Sequence, residues 1–276
     1  MSEEEKPKGN VESTINAVTS LARAVPIYQD AVQPAAQELG KALGTVAKTV
    51  NVALAPVSAL VWGYDQIKDF VDLKVTEKLQ NVPEENIVIP PSHVAGPALE
   101  SLRYTGSIEE LKELYANLLA SSMDSATTKD AHPSFVEIIK QLSSEEAKLL
   151  TALISKEQEP ALTIRNNRED NSGGRDQFRN FTVLGEKVGA QDYGRISNYL
   201  DNLCRLGLLE IPASYALIGE NIYKHLYEHP VVKSIAEAID SEEDRKSELV
   251  RKTIIVTGLG RQFINVCVKD HRNHVQ

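Results

Sequence analysis

Apolar residues along the chain recur mostly at three- and four-residue intervals, the spacing of one helix face, and only two short stretches read as strands. From Val11 to about Leu79 the period is carried by Ile15, Val18, Leu21 and Ala22, then by Ala35, Ala36, Leu39, Leu43, Val46 and Ala47. Pro26, Pro34 and Pro56 are expected to cut this region into pieces. The run NVPEENIVIPPSHVAGP predicts an extended connector near 81–97 that lays Ile87, Val88 and Ile89 against the body. Helix resumes near Ser107. Leu111, Leu114, Leu118 and Leu119 form its stripe, Glu109, Glu110 and Glu113 complement the dipole, and Ser107 with Glu110 predicts a capping box. Pro133 opens the next helix, with Phe135, Val136, Ile138, Ile139 and Leu142 inward. Ser143 with Glu146 predicts a second capping box, leading into Ala147, Leu149, Leu150, Leu153 and Ile154.

A domain boundary is expected near 143. Beyond it, DYGRISNYLDNLCRLGLLEI keeps a helical period through Tyr193, Ile196, Tyr199, Leu200, Leu203 and Leu206, stops at Gly207, and continues as a short strand. That ending is the form of the third helix and first wing strand of a winged-helix domain, with 251–268 as the returning strand and closing helix. NIYKHLYEHPVVKSIAEAIDSEED predicts inserted helices near 220–245, and Glu159–Phe181 reads as a long polar loop. The expected fold is therefore mostly α: a helical domain over 13–142, then a winged-helix-like α+β domain over 143–268 with a small β-hairpin. The polar ends, 1–12 and 269–276, are expected to be disordered and flexible tails.

With 42% hydrophobic and 25% charged residues the composition is that of a globular protein. A net charge of -9 works against nucleic-acid binding by the molecule as a whole and leaves only a local basic face open. Cys204 and Cys267 sit apart among apolar neighbours, as free thiols in a reducing compartment do, and the acidic start MSEEEKPKGN does not resemble a secretory signal. A cytoplasmic protein is expected. Thr49–Tyr64 carries no charge and holds Leu54, Leu60, Val61, Trp62 and Tyr64. At sixteen residues it falls short of the roughly 20 that span a bilayer. Two readings stay open: a buried core segment, or an interfacial membrane segment flanked by Lys41 and Lys48.

Nucleic-acid or partner contacts are expected at Arg195, Asn198 and Asn202 on the helix before Gly207, and at Arg251, Lys252 and Arg261 in the basic carboxyl-terminal part. No catalytic, cofactor or metal residue stands out, and no small-molecule substrate is indicated. TIIVTGLGRQF imitates a dinucleotide fingerprint but has Phe263 where the third glycine belongs, so a turn into the last helix is expected. His225 and His229 lack a third ligand. Cys204 falls on the apolar side of its helix, where packing is the default.

The string LKELYANLLASSMD, followed by AHPSFVEIIKQLSSEEAKLL, resembles the bacterial Abi-alpha family, named for abortive infection. The likeness runs from about Gln33 to Val268, with weaker echoes at Asn198–Leu209 and Thr257–Cys267; the 166–181 loop and the amino-terminal tail depart from it. The resemblance implies a bacterial cytosolic protein acting in phage defence through cell suicide or arrest, and it supplies no catalytic residue. Three functional readings follow. The first is a non-enzymatic protein with a sensor or partner-binding module and a helical effector half that touches membranes, peripheral at the inner membrane. The second is a DNA-binding transcriptional regulator. The third is an oligomeric scaffold, self-associating through Leu111–Leu119.

Overall fold

The computed structural model describes residues 29–61, 63–105, 107–170 and 172–274. The expected tail at 1–12, the residues expected to be helical before Gln29, Pro26 and Trp62 lie outside them. Contacts divide the chain into 1–45 and 46–276. The described part of the first unit is helical throughout.

Helix α1, Gln29–Ser58, contains both Pro34 and Pro56, which the sequence had marked as breaks. Pro34 stands near the start and Pro56 two residues from the end, so each removes little from the ladder of a 30-residue helix. From Val46 onward, Val46, Val50, Ala53, Leu54 and Val57 are buried, a helical stripe that joins the main core. Helix α2 (Lys68–Leu79) contributes Val71, Val75 and Leu79. The proline connector is shorter than predicted: α3 begins at Ser92 and carries Pro97 as its sixth residue. The extended piece before it bonds to the chain at 123–125 through Val88 N to Met123 O at 2.8 Å and Ser125 N to Asn86 O at 2.9 Å. Ile87 packs partly against the core, whereas Ile89 is exposed.

Helix α4, Glu109–Met123, is buried on every side from Leu114 to Met123. Its mix of Leu118 and Leu119 with Ala116, Ala120, Ser121 and Ser122 lets neighbours approach closely, as an all-round buried helix requires. The stripe from Leu111 to Leu119 is thus consumed inside the chain and offers no seam for self-association. The capping box predicted at Ser107 does not form. The helix starts a residue later, with Ile108 at the cap position and no side-chain cap.

After the short α5 (Ser134–Lys140), capped by His132 Nδ1 accepting from Ser134 N at 3.1 Å, comes α6 (Ser144–Thr151). Here the second capping box is complete: Glu146 N donates to Ser143 Oγ at 3.3 Å, and Ser143 N donates to Glu146 Oε2 at 2.6 Å. Ser143→Ala is expected to cost about 1 kcal/mol in chemical denaturation.

The polar run expected to be a loop over 159–181 is a β-hairpin. Strand β1 is Gln158–Arg168 and β2 is Gly174–Phe181; β1 pairs along its whole length with β4 (Arg245–Val256). Between them in sequence lie α7 (Tyr193–Arg205), the two-residue β3 (Leu209–Glu210), α8 (Glu220–Tyr227) and α9 (Pro230–Asp240), the last two being the expected insertion. The antiparallel sheet has order β2-β1-β4-β3, larger than the small hairpin predicted. Polar ends on β1, β2 and β4 hid it from the sequence. Pro160 is tolerated because pairing with β2 begins only at Leu162.

The sheet buries both faces over its inner half. Leu162, Ile164 and Phe181 form a second core with Tyr223, Leu226, Val232 and Ile239 from α8 and α9. On the other face Ala161, Ile254 and Val256 join the main core, which draws residues from Val46 to Val268. Apolar packing therefore runs continuously across the boundary expected near 143. A closing helix α10 (Gly258–Phe263) continues into a π-helical turn, Ile264–Val268. The chain beyond, predicted to be a flexible tail, is docked at His271, whose side chain is fully buried.

Candidate functional site

Helix α7 starts where Asp192 accepts from Arg195 N at 3.1 Å and ends before Gly207, whose φ of 75° supplies the left-handed turn. Its inward residues are Ile196, Leu200 and Leu203. Of the expected contact residues here, Arg195 is exposed but pairs with Asp192 at 3.2 Å. Asn198 is exposed. Asn202 points into the protein, donating to Glu146 Oε1 at 2.7 Å and to Gln141 O at 3.1 Å, so it ties α7 to the capping box of α6. Arg205 is held by Asn202 and Gln141.

The carboxyl-terminal candidates also have partners within the fold. Arg251 lies on the sheet face covered by α8, over the rings of Tyr223 and Tyr227, with Nε donating to Tyr227 Oη at 2.7 Å. Lys252 donates to Ala213 O at 2.7 Å, and Arg261 Nη1 donates to Val256 O at 2.8 Å. These cations bond to carbonyls and rings of the fold itself.

The uncharged segment is divided by its own helix. Leu54 is buried and Tyr64 and Val61 pack partly against the core, whereas Val52 is 73% and Leu60 79% exposed. Asn51, Ala55, Pro56 and Ala59 are exposed with them, giving a solvent face without charge. Tyr64 sits half-buried, which pushes its phenol up to about 12, with Asp72 adding to the shift. Among the described residues no helix is long and apolar enough to cross a membrane.

A polar cluster ties the inserted helices to α7. His229 caps α9 by accepting from Val231 N through Nδ1 at 3.2 Å, so Nε2 carries the proton and faces Glu186 Oε1 and Tyr193 Oη, each at 3.2 Å. Tyr193 donates to the same carboxylate at 2.8 Å, and Phe181 packs on both rings. A cleft of about 390 Å³ opens beside Glu186, Gly189, Gln191, Tyr193 and His229. His225 lies in α8 and His229 outside it at the start of α9, so the two do not share a helix face. Among the described residues no group of three or more His, Cys, Asp or Glu is placed to hold a metal ion.

Neither thiol is poised as a nucleophile. Burial, then Asp201 and Glu210, pushes Cys204 up to about 11, and complete burial pushes Cys267 well above the ordinary thiol value.

Reading by local pattern missed a polar network inside the protein. Asn117 and Ser121 on α4 donate to the carbonyls of Cys267 and Val266 at 2.9 and 3.1 Å, satisfying the π-helical turn. His271 then reaches between Ser121 Oγ at 3.2 Å and Asp124 Oδ2 at 3.1 Å. Ser121 and Asp124 sit three apart, but their partner is some 150 residues away, beyond the reach of periodicity. Outside this network, Asp270 binds Arg272 at 2.7 Å and approaches the buried Lys78 at 3.8 Å, while Arg272 reaches Glu77 at 2.9 Å.

These features define a mostly helical protein with a four-stranded antiparallel sheet, whose conspicuous polar clusters join elements of the fold to one another. The chain belongs to the Abortive infection alpha family, whose model matches residues 63–267. No curated protein matches it. It is similar to the solved structure of an uncharacterised protein from the hydrocarbon-degrading marine bacterium Alcanivorax borkumensis SK2. The two share 20% identity over 52% of this chain and 96% of that one, with a TM-score of 0.33, too low to bear on fold or function.

Proposed function

We propose that this is a non-enzymatic, cytoplasmic phage-defence protein in which a winged-helix-like body binds a protein partner and the uncharged face of α1 meets the inner membrane from the cytoplasmic side. The observation that carries the membrane contact is the exposure of Val52 and Leu60 on a face with no charge from Thr49 to Tyr64. The winged-helix-like reading is supported by element order: α6, β1, the 3-10 turn Leu184–Val188, α7, β3 and β4 occur in that sequence, with β2 inserted after β1 and α8 and α9 after β3, and β4 lies between β1 and β3 in the sheet. Binding of a protein rather than DNA is favoured because Asn202 is engaged by Glu146, Arg205 by Gln141, Arg195 by Asp192 and Arg251 by the Tyr223 and Tyr227 rings.

Flotation with anionic phosphatidylglycerol-containing liposomes tests the membrane contact. The wild-type chain should co-float, with a blue shift of its single tryptophan, Trp62. Val52→Asp combined with Leu60→Asp should reduce partitioning roughly tenfold or more, since burying each apolar side chain is worth about 1.5–3 kcal/mol. Both positions are exposed, so the substitutions spare the core, which Leu54→Asp would not. Wild-type protein that stays with the pellet at low salt overturns the reading.

A further inference from the structure

His271 is fully buried, and the groups around its ring constrain the directions of its hydrogen bonds. Ser121 has one hydroxyl proton, and Val266 O is an acceptor only, so the 3.1 Å bond between them uses that proton. While that bond is kept, the 3.2 Å contact of Ser121 Oγ with His271 Nδ1 is supplied by an Nδ1 proton. On the other side of the ring, Asp124 Oδ2 lies 3.1 Å from Nε2, and its other oxygen, Oδ1, accepts from Ala126 N at 2.9 Å, as a carboxylate does. Nε2 must therefore also donate. The chain Val266 O, Ser121, His271, Asp124 is fully satisfied only with protons on both ring nitrogens, and Ser121, His271 and Asp124 are all buried.

We propose that His271 is held as an imidazolium between Ser121 and Asp124, and that this makes docking of residues 264–272 onto α4 a proton-dependent latch. Loss of the Nδ1 proton turns the Ser121 hydroxyl from Val266 O to the ring and leaves that carbonyl without its donor, and loss of the Nε2 proton sets the ring nitrogen against a carboxylate, in a buried site. The latch closes the carboxyl-terminal segment over the end of the central helix. Ser121 is buried, so its hydroxyl is engaged within the fold.

The charged groups around it come from every element that packs there. Helix α4 supplies Asp124 and, through Lys78, Glu113; α2 supplies Lys78 and Glu77; the carboxyl-terminal segment supplies Asp270 and Arg272. They set an opposite limit at low pH. The bond from Arg272 is the main cause that holds Asp270 down at about 2. A carboxylate with a depressed native value contributes stability that is present above its unfolded value near 4 and lost as pH falls toward 2. The imidazolium contributes in the reverse sense: its share is full at low pH and lost as pH rises through its native titration. The segment should therefore be most firmly docked in mildly acidic to neutral solution.

Two measurements on the full chain test this. In long-range proton–nitrogen NMR at pH 6.5, His271 should show both ring nitrogens protonated and in slow exchange. A pyridine-like, unprotonated nitrogen at His271 overturns the proposal. In hydrogen exchange followed by mass spectrometry, corrected for intrinsic rates, a peptide over 264–272 should lose protection at least tenfold between pH 6.5 and 9.5. In His271→Gln, which keeps a donor toward Asp124 but cannot be protonated, that dependence should vanish. Equal pH dependence in both proteins overturns the latch, and if the variant does not fold the NMR result on wild-type protein decides alone.

Discussion

Gly260→Ala is expected to lower the melting temperature by about 5–10 °C, a loss on the order of 3 kcal/mol or more for a chain of this size. A Cβ at this position would stand 2.0 Å from Leu208 O and 2.9 Å from Leu208 C. That carbonyl is not free to retreat. It accepts from Thr257 N at 3.1 Å, Gly207 O accepts from Thr257 Oγ1 at 2.6 Å, and Leu209 is paired to Val256. Alanine at 260 must break that junction of β3, β4 and α10 or push α10 off the core. Gly258→Ala is the control, because nothing lies within 4 Å of a Cβ there. Thermal unfolding followed by circular dichroism separates the two; equal melting temperatures would show that the close approach at 260 does not exist. The glycine pair that imitates a nucleotide fingerprint thus has a packing explanation at its second member.

Phe135→Ala should cost about 3–5 kcal/mol, by lost transfer energy and by the cavity it leaves. Phe135 is fully buried and meets Phe263 edge-on, with centroids 5.3 Å apart at 90°. The pair locks α5 to α10, the element that leads into the π-helical turn and the docked carboxyl-terminal segment. Urea denaturation should show a lower midpoint with an unchanged slope, while Phe135→Leu should lose less than half as much. A midpoint within error of wild type for the alanine variant would mean that the two elements are held elsewhere.

The family's strongest local signature and the core of the fold coincide. The stretch from Leu111 to Asp124 is the helix that contacts α2, α3, α5, α6 and the π-helical turn, so its sequence is constrained on all sides. This explains why Leu111–Leu119 looked like an exposed seam to a reading based on one helix face. A stripe says that a face is apolar, and it does not say whether the opposite face is also covered. Small residues such as Ala116, Ala120 and Ser121 are the signal that more than one neighbour packs there.

Among the functional candidates, sequence pattern marks the uncharged segment but does not assign its two faces. Only packing separates the buried Leu54 from the exposed Leu60. For Asn202 the pattern implied a reader of bases, whereas the fold makes it a tie between helices through Glu146. Type and spacing alone do not distinguish an amide that waits for a ligand from one already satisfied.

The sequence by itself determined what depends on neighbours within one or two turns of chain. These are the helical period of α4 to α7, the Ser143–Glu146 box, the stop at Gly207 and the inserted helices α8 and α9. Tertiary structure alone decided the rest: the β1–β2 hairpin built from polar residues, the covering of α4 on every side, and the burial of His271. Each of these depends on a partner distant in sequence. β1 is held by β4 some 90 residues later, and His271 by α4 about 150 residues earlier, so their free energies are set by contacts that no local window contains.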